Sequence, residues 1–131
     1  MNIVLAVARG REQPSTLQWE LTIPVDQLSL IDNNPEAGPE AKTAGKSVAC
    51  SVQKKSDASQ TSVCLVYGGR EAIHDGVIAT LHLKIADEAK PGSARILIDQ
   101  AFAVTKDLKR TPMPAAGGAV TIRKKIKRAV A

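Results

Sequence analysis

The stretch that decides the fold is GVIATLHLKI, residues 76–85, followed after ADEAKPGS (86–93) by ARILIDQAFAV, residues 94–104. Both runs are rich in Val, Ile, Leu and other residues that fit a pleated, half-buried surface. The acidic link between them carries Pro91-Gly92, which punctuates strands rather than continuing them. Neither run holds a nucleophile, a metal cluster or a phosphate-binding loop. The pair predicts a β scaffold, and a scaffold alone does not specify function.

The same pattern extends on both sides. Leu17, Trp19, Leu21 and Ile23 alternate with Gln18, Glu20 and Thr22, the period of a strand with one dry face and one wet face. Pro24 ends it, and a turn at Val25-Asp26-Gln27 leads into the short apolar piece LSLI. Residues 32–46 (DNNPEAGPEAKTAGK) predict a long surface loop, because no apolar periodicity supports a helix there. Ser47–Val52 and Ser62–Tyr67 predict two further strands, with the polar link QKKSDASQT as a hairpin loop. Gly68-Gly69 stops the second. Ala115-Ala116-Gly117-Gly118 turns the chain into a last strand, Ala119–Ile122. Ile3–Ala8 is read as a strand, too short for the apolar run of a signal peptide and without its positive flank. Seven or eight strands, no helix and Gly/Pro-rich turns predict an all-β sandwich or barrel.

Length and charge narrow the function. The chain has 131 residues, enough for one domain with a real core, and 44% of them are hydrophobic while only 2% are aromatic. Val, Ile, Leu and Ala must therefore fill that core. No run approaches the roughly 18 apolar residues of a membrane span. The net charge of +5 is local: Arg123, Lys124, Lys125, Lys127 and Arg128 hold five of the 18 basic residues, leaving 13 against 13 acidic residues in the body. The division is a folded domain over 1–122 and a basic tail over 123–131. A neutral body with few aromatics does not suit nucleic acid, which asks for a basic face with stacking rings. The tail could meet an acidic partner, nucleic acid or anionic lipid, or be a solvated terminus or a linker.

The order of segments resembles the cohesin family, the jelly-roll modules that receive dockerin modules in cellulosomes. LQWELTIPVDQLSLIDNNPEAGP is similar to the family's early strand, turn and following loop, and DGVIATLHLKIADEAKPGSARILI to its most specific region. GGAVTI is similar to the closing strand. The likeness spans about residues 3–122. It implies a jelly-roll β-sandwich of two antiparallel sheets and a non-catalytic scaffolding role in extracellular polysaccharide degradation, with a dockerin-type module as partner. Only IVLAVARGREQP stands where the family has an extra strand and hairpin, so a first strand is expected to be absent or contracted. That would leave an open edge able to accept a strand from a neighbour. No dockerin-contacting residue carries over from the resemblance. A direct carbohydrate-binding module, sharing this fold, is the alternative, and a structural domain of a surface protein is another.

Candidate chemistry is sparse. Cys50 and Cys64 fall on adjacent expected strands, compatible with a disulfide or with two buried thiols. The resemblance to exported proteins with a similar AGKSVxC…CLVYG pair favours the disulfide and an extracellular or cell-surface setting. Two Cys with two distant His lack zinc spacing, so no metal or other cofactor is expected. His74 and His82 have no glycine-flanked Ser beside them in sequence and read as surface residues. Trp19 shares the parity of the core positions. Tyr67, beside Gly68-Gly69, is the one aromatic free for ligand contact, and one ring makes a poor sugar platform. The reading is a binding module and not an enzyme.

Overall fold

The computed structural model describes residues 1–31 and 35–123. Its strands are β1 (Asn2–Leu5), β2 (Thr16–Pro24), β3 (Leu28–Leu30), β4 (Glu36–Ala37), β5 (Ser47–Lys55), β6 (Ser59–Tyr67), β7 (Gly76–Thr80), β8 (Leu83–Ile85), β9 (Gly92–Val104), β10 (Arg110–Pro112) and β11 (Gly118–Ile122), with one short helix, α1 (Pro39–Thr43). All pairings are antiparallel. The larger layer runs β10-β9-β2-β6-β5, with β11 also on β9; β1-β7-β4 and β3-β8 form the opposite layer. This is the jelly-roll sandwich expected from the sequence.

Strand β2 shows why the layers pack. Its exposure alternates over all nine residues, and Leu17, Trp19, Leu21 and Ile23 are each no more than 5% exposed. They meet Ile3, Leu5, Leu28, Ile78 and Leu81 from the opposite layer, and Val66, Ala94 and Ile96 from their own. Burying such side chains stabilises by about 1.5–3 kcal/mol each before entropy is counted. In β9, Ala94 and Ile96 point inward, and so does Ala103, seven residues after Ile96. A strict period of two cannot do this. The register shifts opposite Trp19, between the Gln18–Phe102 and Glu20–Asp99 pairs, and Gln100 takes φ 49°. The bulge resets the parity so that both halves of the strand face the core.

Several expectations need correction. GVIATLHLKI is not one strand: β7 and β8 lie in different sheets, parted at Leu81-His82. The hairpin loop between β5 and β6 is shorter than QKKSDASQT, since the strands run to Lys55 and resume at Ser59. Those strand ends are exposed on β5, so no apolar alternation marks them. The expected loop over 32–46 contains β4 and α1, with residues 32–34 outside the described part. Pro39 opens the helix with its fixed φ, and Ala41 buries fully. Gly38 lies so close to β7 that a Cβ there would overlap the Val77 carbonyl, which seats the turn before α1. Strand β10 was not expected at all.

Cys50 and Cys64 are directly paired across β5 and β6, with Cα atoms 4.0 Å apart, and form a disulfide closing a separation of 14 residues. Cys64 is fully buried in the core. The bridge ties the edge strand β5 to the middle of the sheet. For a loop of this size, chain entropy assigns it about 3 kcal/mol. Cys50→Ala/Cys64→Ala should therefore lower Tm by roughly 10 °C, measured by calorimetry. An unchanged Tm would mean that the sheet holds β5 without the bridge.

Candidate functional site: the outer face of the large sheet

The inward residues of the large sheet are committed to the core, so its outward residues are what it can offer a partner. The register sets them in rows. Tyr67 of β6 pairs with Ser47; Leu65 pairs with Ala49 and Gln18, and Gln18 with Phe102. Val63 pairs with Ser51 and Glu20, and Glu20 with Asp99; Thr61 pairs with Thr22, and Thr22 with Leu97. Val63, Leu65 and Phe102 are half-buried among their neighbours, while Tyr67 and Leu97 are exposed. The Arg110 guanidinium lies 3.8 Å from the centre of the Phe102 ring, a cation–π contact that orients both groups. Thr22 and Thr61 share a 2.9 Å hydroxyl hydrogen bond. The result is an apolar centre with a polar rim, the anatomy of a protein-docking surface.

One feature of this face works against the free fold. Glu20 and Asp99 are directly opposed on β2 and β9. Among the described residues, neither is within salt-bridge distance of a basic group. Like charges directly opposite destabilise a sheet. A cation supplied by a partner would relieve that repulsion.

Other candidate residues lie elsewhere. Trp19 is 4% exposed and lines the core side of β2, so it gives a sugar no stacking surface. His74 is exposed, and its neighbour Asp75 accepts hydrogen bonds from the Val7 N–H at 3.0 Å and Gln13 Nε2 at 3.1 Å, a clip between two loops. His82 is exposed and sits 3.1 Å from Glu36, which also lies 3.8 Å from Lys42. Arg123 is exposed; Lys124, Lys125, Lys127 and Arg128 lie outside the described residues. No helix among the described residues is long and apolar enough to cross a membrane.

Lys46 is buried, with Nζ donating to the Gly69 carbonyl at 3.0 Å. Burial lowers its pKa below the usual 10.5, and the nearby Glu71 carboxylate opposes the shift. A desolvated lysine can serve as a nucleophile, but this ammonium is turned onto a loop carbonyl and holds the Gly68-Gly69 bend against the start of β5.

The sequence pointed to Tyr67 and missed the rest of the face. SVCLVY, residues 62–67, is apolar at both parities: Cys64 and Val66 turn inward, and Val63, Leu65 and Tyr67 outward. A strand covered on one side only has no core reason for an apolar outer parity. That was the available signal.

No family model and no curated protein matches the chain. Its fold is similar to that of a chain in the crystal structure of a cohesin–dockerin complex, CaDoc0917 with CaCohA2 at pH 5.5. The TM-score is 0.61 at 14% identity, over 87% of this chain and 83% of that one.

Two outcomes test the electrostatics. Asp99→Asn should stabilise the isolated chain by about 0.5 kcal/mol at low salt, and the gain should shrink as screening rises; chemical denaturation at two ionic strengths measures it. For Lys46, the unfolded chain binds the proton more tightly than the folded one. Stability attributable to this group therefore rises with pH between its lowered folded pKa and 10.5. Lys46→Met should abolish that rise, seen as a wild-type-minus-variant difference that grows in favour of wild type as pH approaches 10.5.

Proposed function

We propose that the chain is a non-catalytic, cohesin-like binding module that docks a dockerin-type protein partner on the outer face of its large sheet. The observation that carries this reading is the half-buried apolar centre of Val63, Leu65 and Phe102, rimmed by Tyr67, Arg110 and the Glu20–Asp99 pair. Likeness of fold to a chain of a cohesin–dockerin complex supports the same reading. Apolar anchors at the centre of such a face hold most of the binding energy, and rim charges set orientation and discrimination.

The mechanism is association without chemistry. Flat strands present preformed side chains, so little conformational entropy is lost on docking. Arg110, held over Phe102, offers planar donors to a carboxylate or carbonyl of the partner. The Glu20–Asp99 pair takes a partner Lys or Arg and loses its own repulsion at the same moment. The Cys50–Cys64 disulfide supports an oxidising compartment, extracellular or at the cell surface. There the module would hold a polysaccharide-degrading partner in place.

Titration of the purified chain against a panel of dockerins, with calcium and with chelator, tests this; polysaccharides serve as the parallel control. Saturable, calcium-dependent dockerin binding is expected, and Leu65→Glu should weaken it by at least about 30-fold, the scale of a hot-spot loss. No dockerin binding at high micromolar concentration, or polysaccharide binding indifferent to Leu65→Glu, would overturn the reading.

A further inference from the structure

Strand β1 pairs with β7 along one side only, leaving it at the edge of its sheet. Along its other side runs a groove whose far wall is the segment from Met113 to Gly118. Two cavities form it, of about 410 and 570 Å³, and Met113 and Pro114 line both. The first lies beside Met1–Leu5, and the second continues beside Ala6, Val7 and Ala8. The groove thus follows the chain from Asn2 to Ala8, seven residues or roughly 23 Å of extended backbone.

The floor of the first cavity includes Leu17, Trp19, Ile78 and Ile98, and no side chain lining it is charged. Trp19 sits opposite the β9 bulge. Its indole N–H is buried and has no hydrogen-bond acceptor among the described residues. A buried donor of this kind is costly to leave unmet. Two features therefore converge on one groove: an unpaired strand edge, and an apolar floor that includes Trp19. An extended peptide answers both: its backbone pairs with β1 and its alternate side chains fill the floor.

We infer that this groove accepts a donor strand: an extended segment of another polypeptide, uncharged over its length and apolar at alternate positions, added beside β1. Charge decides against this chain's own tail as occupant. RKKIKRAVA carries five cations, whereas the first cavity offers no counter-charge and the second is lined by Arg11 and Lys109 against the single Glu12. A second copy's β1 has the same free edge, but it would enter with its own β7 attached, whereas Met113 to Gly118 wall the groove on its far side and leave the width of a single strand. This is strand addition at an exposed edge, with backbone bonds giving affinity and alternate pockets giving specificity. It uses a surface separate from the outer face of the large sheet and does not depend on that reading.

The chain holds one tryptophan, so its indole N–H resonance reports on the groove without ambiguity. The full-length, ¹⁵N-labelled chain would be titrated with acetyl-SVTVTITS-amide to about 1 mM, spanning the range of weak peptide binding. Saturable displacement of the Trp19 indole resonance, with new exchange protection of β1 amides, is expected. A composition-matched peptide without alternation, and the peptide RKKIKRAVA, should do neither. Gly118→Leu narrows the mouth, because a Cβ at Gly118 lies 3.2 Å from the terminal methyl of Met1; it should weaken binding at least about 10-fold. No displacement by the alternating peptide, equal displacement by either control, or undiminished binding to folded Gly118→Leu overturns the inference. So does displacement on protein concentration alone with dimer formation, which would make a second copy the occupant.

Discussion

Strand β2 is held from both sides, and that double pairing organises the sandwich. It is paired with β6 from Leu17 to Pro24 and with β9 from Thr16 to Thr22, so both of its backbone edges are taken. Its inward parity, Leu17-Trp19-Leu21-Ile23, forms the floor on which the smaller sheets settle. Because parity is fixed by pairing, the outward set of Gln18, Glu20 and Thr22 is fixed with it. A one-residue slip would exchange core for surface. The outer face is thus a by-product of how the core is built, and its apolar content on β6 and β9 is what the proposed docking role rests on.

The two proposed surfaces differ in physical kind. The outer face is flat and would recognise by side chains, with its backbone already satisfied within the sheet. The β1 groove is concave and would recognise by backbone, because one strand edge is unpaired. Occupants of the two must differ accordingly: a folded module with an apolar patch and a cation on one, an extended neutral segment on the other. Nothing in the geometry makes them exclusive, so a chain could engage both at once.

Much of the sandwich was legible because it rests on period two. The alternation from Leu17 to Ile23 is unbroken in the sequence and in the structure. Legibility failed where tertiary pairing overrides local pattern. GVIATLHLKI has a continuous β character, yet it changes sheets at Leu81-His82, and only the partners of β7 and β8 decide that. The helix at Pro39–Thr43 is too short for an amphipathic period to register. Arg110-Thr111-Pro112 has no apolar alternation and becomes a strand because β9 presents an open side. Of the site, Tyr67 was visible beside its glycines. Phe102 and Asp99 fall on the outer face by the register of β9 and its bulge, which no single-strand pattern contains.

Methyl-resolved NMR of the chain, as a dockerin is titrated in, shows whether docking uses the outer face of the large sheet. The Val63, Leu65 and Leu97 methyls should shift together and saturate with the partner, while Val4 and Ile85, exposed on the opposite layer, stay in place. Shifts gathered at Val4 and Ile85 with the outer-face methyls unmoved would contradict the proposed docking surface.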